Sequence, residues 1–346
     1  MQRTVRALRR VRVKPARCFG AGVQEVRDFD PEAHEALEQQ EVDAFERGEM
    51  QQVPKKETLE FFPPQLQREM AFHLKSRGVF ECPNFLSRRL AKLVQDEAVD
   101  LYKRGKAVPT KTLEFVEALS EEERQQALDE GMEEQEDGTF VTECVVPGSY
   151  GYEVQGDEAK RERLESVVFF VSSLVNEVPK FLRERLPQAA PLSQDVFGAK
   201  LDYFLDGAEM PIHVDNGSGG ADGDLRKLTI VYFAGGDGVE LNEKKDEDTP
   251  DVEVGGALTL LPLDGQGGHI EVKAAPDTLV AYWSDLVLHE HSTVQLPPDQ
   301  KENPLVTLTT WLAAEDASHI DRFEDYLEQV IPQQQQQHQG SIPMPQ

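Results

Sequence analysis

Between residues 66 and 106 apolar positions recur every three or four residues in two blocks around a short apolar run, LQREMAFHLKSRGVFECPNFLSRRLAKLVQDEAVDLYKRGK. A helix turns once in about 3.6 residues, so this spacing predicts helix, short strand, turn, helix, with Gly78 and Gly105 ending the two helices. The same period over LESVVFFVSSLVNEVPKFLRERL predicts a third amphipathic helix at 164–186. From about residue 197 the pattern changes to short β-rich runs: FGAKLDYFLD, RKLTIVYFAG, GGALTLLPL, HIEVKAA, TLVAYWSD and LVTLTTWLAA. Gly and Asp turns separate them, which predicts a barrel or sandwich core over about 197–314, supported by helices that precede it.

The polar remainder sets the expected limits of the folded part. Residues 26–65 are acidic and Gln-rich and read as linker, and LSEEERQQALDEGMEEQED (119–137) reads as a charged helix or an insertion. The Gln-rich stretch 321–346 is low in complexity and is expected to be disordered, leaving a domain over 66–320. The first 24 residues carry seven basic side chains and no acidic one. An Arg-rich, acid-free start over 1–25 is what an organelle transit peptide looks like, and its low serine content points to a mitochondrion, with plastid or cytoplasm as alternatives.

Composition then narrows the function. A formal charge of −28 would repel nucleic-acid phosphates, and no apolar run approaches the length of about 18 residues that a membrane span requires. Cys18, Cys82 and Cys144 are far apart, which argues against a disulfide framework and a CxxC zinc site. No pattern speaks to oligomeric state.

The candidate chemistry lies in the strands. MPIHVDN places His213 and Asp215 two residues apart, on one side of an extended strand, and WSDLVLHEH offers His289 and His291. Eight histidines among 64 acids in 346 residues give about 1.5 HxD pairs by chance, so the pair alone is weak. With a distal histidine it becomes two imidazoles and a carboxylate, the ligand set of non-haem Fe(II) oxygenases, although a zinc hydrolase uses the same ligand types.

From roughly residue 69 to 315 the chain resembles the prolyl 4-hydroxylase branch of the 2-oxoglutarate and Fe(II) dioxygenases, and most of all the hypoxia-factor prolyl hydroxylases. The stretches that carry the resemblance are HVDN with the Gly/Asp loop and Arg226 behind it, LTIVYF, GGALTLLP, IEVKAAPDTLVAYWSD, and HE before a strand ending in Trp311. The resemblance implies a double-stranded β-helix (jelly-roll) core and an enzyme that couples oxidative decarboxylation of 2-oxoglutarate to hydroxylation. Its cofactors would be Fe(II), 2-oxoglutarate, O2 and L-ascorbate. Its partner would be a protein or peptide substrate with a prolyl residue.

Carried onto this chain, the resemblance makes His213, Asp215 and His289 the metal ligands and catalytic residues, with His291 as the alternative to His289. It also exposes two departures. The arginine or lysine that would hold the far carboxylate of 2-oxoglutarate is replaced by Leu305, and the assisting tyrosine by Phe233. A dianion in a dry pocket needs a partner. Lys227, which shares strand parity with Phe233, and Lys301, four residues before Leu305, are the candidate cations; each also reads as a solvated surface charge. Tyr203, ten residues before His213, and Thr307 are further candidates for contact with the co-acid, and Arg226 for the substrate groove. Alternative functions are a dioxygenase of a non-prolyl or small-molecule substrate, or a catalytically weakened protein that binds metal or peptide.

Overall fold

The computed structural model describes residues 61–117, 139–186, 191–217, 220, 223–236, 255–263, 268–298, 300–321 and 323, with residues 124–125, 128–129 and 133–134 between the first two stretches. The basic leader, nearly all of the acidic linker and the Gln-rich tail lie outside them. Among the described residues, packing begins at Phe61 and Phe62, both buried, within the stretch read as linker.

The expected helices are present. Helix α1 spans Pro64–Arg77 and ends at Gly78, whose φ of 74° is left-handed. A side chain there would also meet Leu263, since a Cβ would lie 2.7 Å from its Cδ1, so glycine is required on both counts. Strand β1 (Val79–Pro83) leads to α2 (Arg88–Lys103), which buries Leu90, Ala91, Val94, Ala98, Val99 and Leu101. A short α3 (Gly156–Arg161) precedes α4 (Glu165–Arg185), the helix predicted at 164–186. Glu97 on α2 accepts from the Ser166 and Val167 amides at 2.8 and 3.0 Å, which ties α2 to the otherwise unsatisfied start of α4.

The strands form two sheets. After β2 (Val108–Glu117), β3 (Glu133–Glu134) and β4 (Thr139–Glu153) come β5 (Leu192–Phe204), β6 (Met210–His213), β7 (Arg226–Gly235) and β8 (Leu258–Leu260). Then follow β9 (Ile270–Val272), β10 (Thr278–Trp283), β11 (His289–His291) and β12 (Leu305–Ala314). The larger sheet runs β1-β10-β7-β12-β5-β4-β2, with β3 on β4, and the smaller runs β6-β11-β8-β9. All described pairings are antiparallel. This is the expected double-stranded β-helix. Helices α1, α2 and α4 pack against the larger sheet. Covered on its outer face by helix and on its inner face by the barrel, β7 is buried from end to end, which is why RKLTIVYFAG reads as a nearly continuous apolar run.

The long β2–β4 hairpin has no counterpart in the sequence reading. Only Ser149–Glu153 of β4 pair with β5; the preceding residues pair with β2 and β3, beyond the end of the main sheet. Of the acidic stretch 119–137, Glu133–Glu134 form β3. No described helix is long and apolar enough to cross a membrane.

Candidate metal centre

Strands β6 and β11 pair so that His213 stands opposite His289. Opposed side chains on one face of an antiparallel pair lie about 5 Å apart at Cβ, and here the two rings meet at 4.2 Å between centroids. Asp215 follows in the turn after β6, which is pinned by the Asn216 amide donating to the Ser284 carbonyl at 2.8 Å. The Asn216 side chain donates to the carbonyls of Asp224 and Arg226, both at 2.9 Å, and so closes the Gly-rich loop on itself.

One ligand atom from each of His213, Asp215 and His289 lies within 4.8 Å of the other two. Asp215 Oδ1 is 3.8 Å from His213 Nε2 and 3.9 Å from His289 Nε2. Ligands at about 2.1 Å from one ion stand about 3.0–3.5 Å apart, so movement of less than about an ångström completes the set.

Each ligand is oriented from behind. His213 Nδ1 donates to the Pro211 carbonyl at 2.8 Å and His289 Nδ1 to the Val287 carbonyl at 3.1 Å. A carbonyl only accepts, so both Nδ1 atoms carry the proton and both Nε2 atoms present a lone pair. Asp215 Oδ2 accepts from Thr229 Oγ1 at 2.6 Å and, at 3.4 Å each, from the Tyr282 hydroxyl and Trp311 Nε1. Thr229 is held in turn by Ser284 at 2.7 Å. That leaves Oδ1 facing the imidazoles. Burial alone would raise the Asp215 carboxyl, but His289, Arg226, His213 and the Thr229 hydroxyl hold it down at about 2. The site therefore presents one anion beside two imidazoles, of which His289 is held neutral by burial.

Burial, then the neighbouring His213, lowers His289 from 6.5 to about 3, and burial lowers His291 to about 4. Both imidazoles fold neutral and take up protons on unfolding. Their contribution is complete above about pH 6.5 and is lost as pH falls toward these folded-state values, with Asp215 acting in the same direction at lower pH. Metal-free protein is therefore expected to melt at progressively lower temperature from pH 7 to pH 4. A flat melting temperature over that range would contradict the neutral-imidazole assignment.

The remaining sequence-derived residues divide. Thr307 is buried and shares parity with Thr309 and Trp311, which reach Asp202 and Asp215, so it faces the barrel interior as expected. Tyr203 does not. The inward set on β5 includes Asp202 and Phe204, while Tyr203 points to the helices, donating to the Ala98 carbonyl at 3.0 Å and packing on Tyr102. Its place is in the core, one residue out of phase with the expectation.

Lys227 is also redirected. Arg226 pairs with Ala313 and Leu228 with Leu312, so Lys227 is an extra residue in a bulge and strand parity fails at it. Its ammonium reaches Asp285 at 2.6 Å and Asp321 at 3.0 Å and lies 5.7 Å from the Trp283 ring centroid. Trp283 itself donates to the Leu74 carbonyl on α1, which places the lysine on the helix-covered side. A cavity of about 240 Å³ there is lined by Lys227, Trp283, His319 and Asp321, among others, and by no residue of the His/Asp/His set. Lys301 is half-exposed and pairs with Asp206 at 2.8 Å in a surface turn. Arg226 is buried, bonded to Asp224 and, at 2.6 Å, to the Asp215 carbonyl. It props the turn that carries Asp215.

Sequence reasoning missed Thr229, Tyr282, Ser284 and Asn216. Thr229 carried a legible signal, a polar residue in phase with Phe233 on an otherwise apolar strand. Tyr282 lies within β10 and looks like any other core aromatic there, and Ser284 and Asn216 lie in turns that no period marks.

Neither a family model nor a curated protein matches the chain. Solved structures do. A prolyl hydroxylase from Trichoplax adhaerens, in complex with a hypoxia inducible factor oxygen degradation domain peptide fragment, is 16% identical, with a TM-score of 0.51 over 77% of this chain and 96% of that one. A prolyl 4-hydroxylase from Phytophthora capsici is 17% identical, with a TM-score of 0.51 over 78% of this chain and 69% of that one. At these identities the likeness is one of fold.

Proposed function

We propose that this chain is an Fe(II)- and 2-oxoglutarate-dependent dioxygenase that hydroxylates a prolyl residue of a protein or peptide. The observation that carries the reading is the convergence of His213 Nε2, Asp215 Oδ1 and His289 Nε2 inside the barrel, each oriented by its own hydrogen bonds. Two imidazole nitrogens and one carboxylate oxygen on one side of an ion fit ferrous iron and leave its other side for co-substrates. Iron bound there with a 2-oxo acid and O2 supplies the oxidant that turns an unactivated C–H bond into C–OH. The protein's part is to hold the ligands and keep them dry. Thr229, Tyr282 and Trp311 occupy Asp215 Oδ2 and leave Oδ1 for the metal, while Arg226 fixes the backbone of the turn. The peptide and prolyl parts of the proposal draw on the Trichoplax and Phytophthora structures.

Leu305 and Phe233, where the resemblance expects an arginine and a tyrosine, favour a second reading, a protein that binds metal or peptide without turnover. The two readings separate in one assay. Full-length protein with Fe(II), 2-oxoglutarate, ascorbate and a proline-containing peptide is expected to form succinate and to add one oxygen to the peptide by mass spectrometry. Tight metal binding without succinate would instead establish the binding module.

A further inference from the structure

The cavity of about 240 Å³ beside Lys227 lies outside the metal centre, and the proposed reaction makes no use of it. Its walls are held in place. Lys227 enters from the bulge at the start of β7, and the buried Trp283 ring lies 5.7 Å from its ammonium. The facing wall is a 3₁₀ turn after β12, Ala317–His319, with Asp321 just beyond it. That turn is anchored by the Asp316 carboxylate, which accepts from the Ser318 amide at 2.8 Å, and by the buried Ile320. The Glu315 amide ahead of it donates to the Pro191 carbonyl at 2.8 Å.

The two carboxylates on Lys227 are not equivalent. Asp285 is fully buried; its Oδ2 accepts from the ammonium at 2.6 Å and from the Asp321 amide at 2.8 Å. That partner alone neutralises the lysine. The Asp321 carboxylate reaches the ammonium at 3.0 Å from a side chain that is 64% exposed. An ion pair with one partner so far in water contributes little. The Asp321 carboxylate can therefore leave while its backbone amide stays on Asp285. The polar side chains that then line the cavity are Lys227, Ser318 and His319, each able to donate, beside the apolar Trp283 and Leu286. Among the described residues no other carboxylate lines the cavity to oppose an incoming anion. The structure thus already shows a carboxylate held by Lys227 at this wall, and it is an exchangeable one.

We propose that this cavity is a second binding site, for a small carboxylate with an apolar body. The ligand takes the place of Asp321 on Lys227 and lays its body against Trp283. Exchanging one carboxylate for another leaves the charge around Lys227 unchanged, so no unpaired charge is buried. The volume is below the roughly 300–1,000 Å³ of pockets for drug-sized ligands, which limits the occupant to a small acid. The site goes beyond the proposed function and does not depend on it.

The test is calorimetric titration of full-length protein, with and without Mn(II), using benzoate and its neutral analogue benzamide. Benzoate is expected to bind with a Kd of about 1 mM, and benzamide about tenfold more weakly or worse. Mn(II) is expected to change neither. Asp321→Asn removes the competing carboxylate and is expected to tighten benzoate about 2- to 5-fold. Ser318→Trp, at an exposed position on the turn, is expected to fill the cavity and weaken benzoate about tenfold or more. Both variants leave the Lys227–Asp285 pair intact and are expected to melt as the wild type does. Equal affinity for benzoate and benzamide overturns the assignment of a carboxylate site. Benzoate binding that requires Mn(II), or that neither substitution alters, lies elsewhere and overturns the cavity as the site. Absence of benzoate binding up to about 10 mM overturns it as well.

Discussion

Replacing His289 by alanine is expected to abolish tight binding of Fe(II) or Mn(II) and all succinate formation, whereas His291→Ala retains the metal. His289 Nε2 faces Asp215 Oδ1 at 3.9 Å and its ring lies against His213, while His291 falls outside the His213, Asp215 and His289 group. Removing a group that only orients a ligand costs about 10- to 100-fold in metal affinity, and loss of a ligand itself exceeds that. Metal titration of the two variants decides the matter. Tight metal in His289→Ala with loss in His291→Ala would reverse the ligand assignment.

Lys227→Ala is expected to be the most destabilising of the charge removals considered. Asp285 is fully buried and the Lys227 side chain is 5% exposed, so removing the lysine strands a carboxylate in the core. Breaking one side of such a pair costs about 3–5 kcal/mol. Burial already raises Asp285 above the ordinary carboxylate value in the presence of Lys227, and without the lysine it would fold protonated. A carboxyl whose folded value is raised loses stability as pH climbs past the unfolded value. The variant should therefore be more damaged at pH 8 than at pH 5. Chemical denaturation at both values measures this. A loss below about 1 kcal/mol at pH 8 would show that the pair is not holding the fold. The 2-oxoglutarate affinity of whatever fraction folds is expected to be normal.

The contrast between these residues shows where the sequence was readable. The periods of α1, α2 and α4 and the apolar run of β7 report burial, and burial of a helix face or a covered strand leaves a repeating mark. HVD was readable because its two side chains are neighbours on one short segment. Tyr203 was not, because an error of one residue in phase moves a strand side chain to the opposite face, and the phase of β5 is set by β12 and β4.

By itself, then, the sequence determined the helices, most of the core strands and the placing of His213 and Asp215 on one side of a strand, since each follows from local period or spacing, while the choice of a jelly-roll over a sandwich came from the family resemblance. The tertiary structure decided the rest. The bulge opposite Leu312 and Ala313 turned Lys227 toward Asp285, and the shift between His289 and His291 put one ring beside the metal ligands and the other beside Phe204 and Phe233. Both outcomes depend on register between strands far apart in the chain, and register is fixed only when those strands meet.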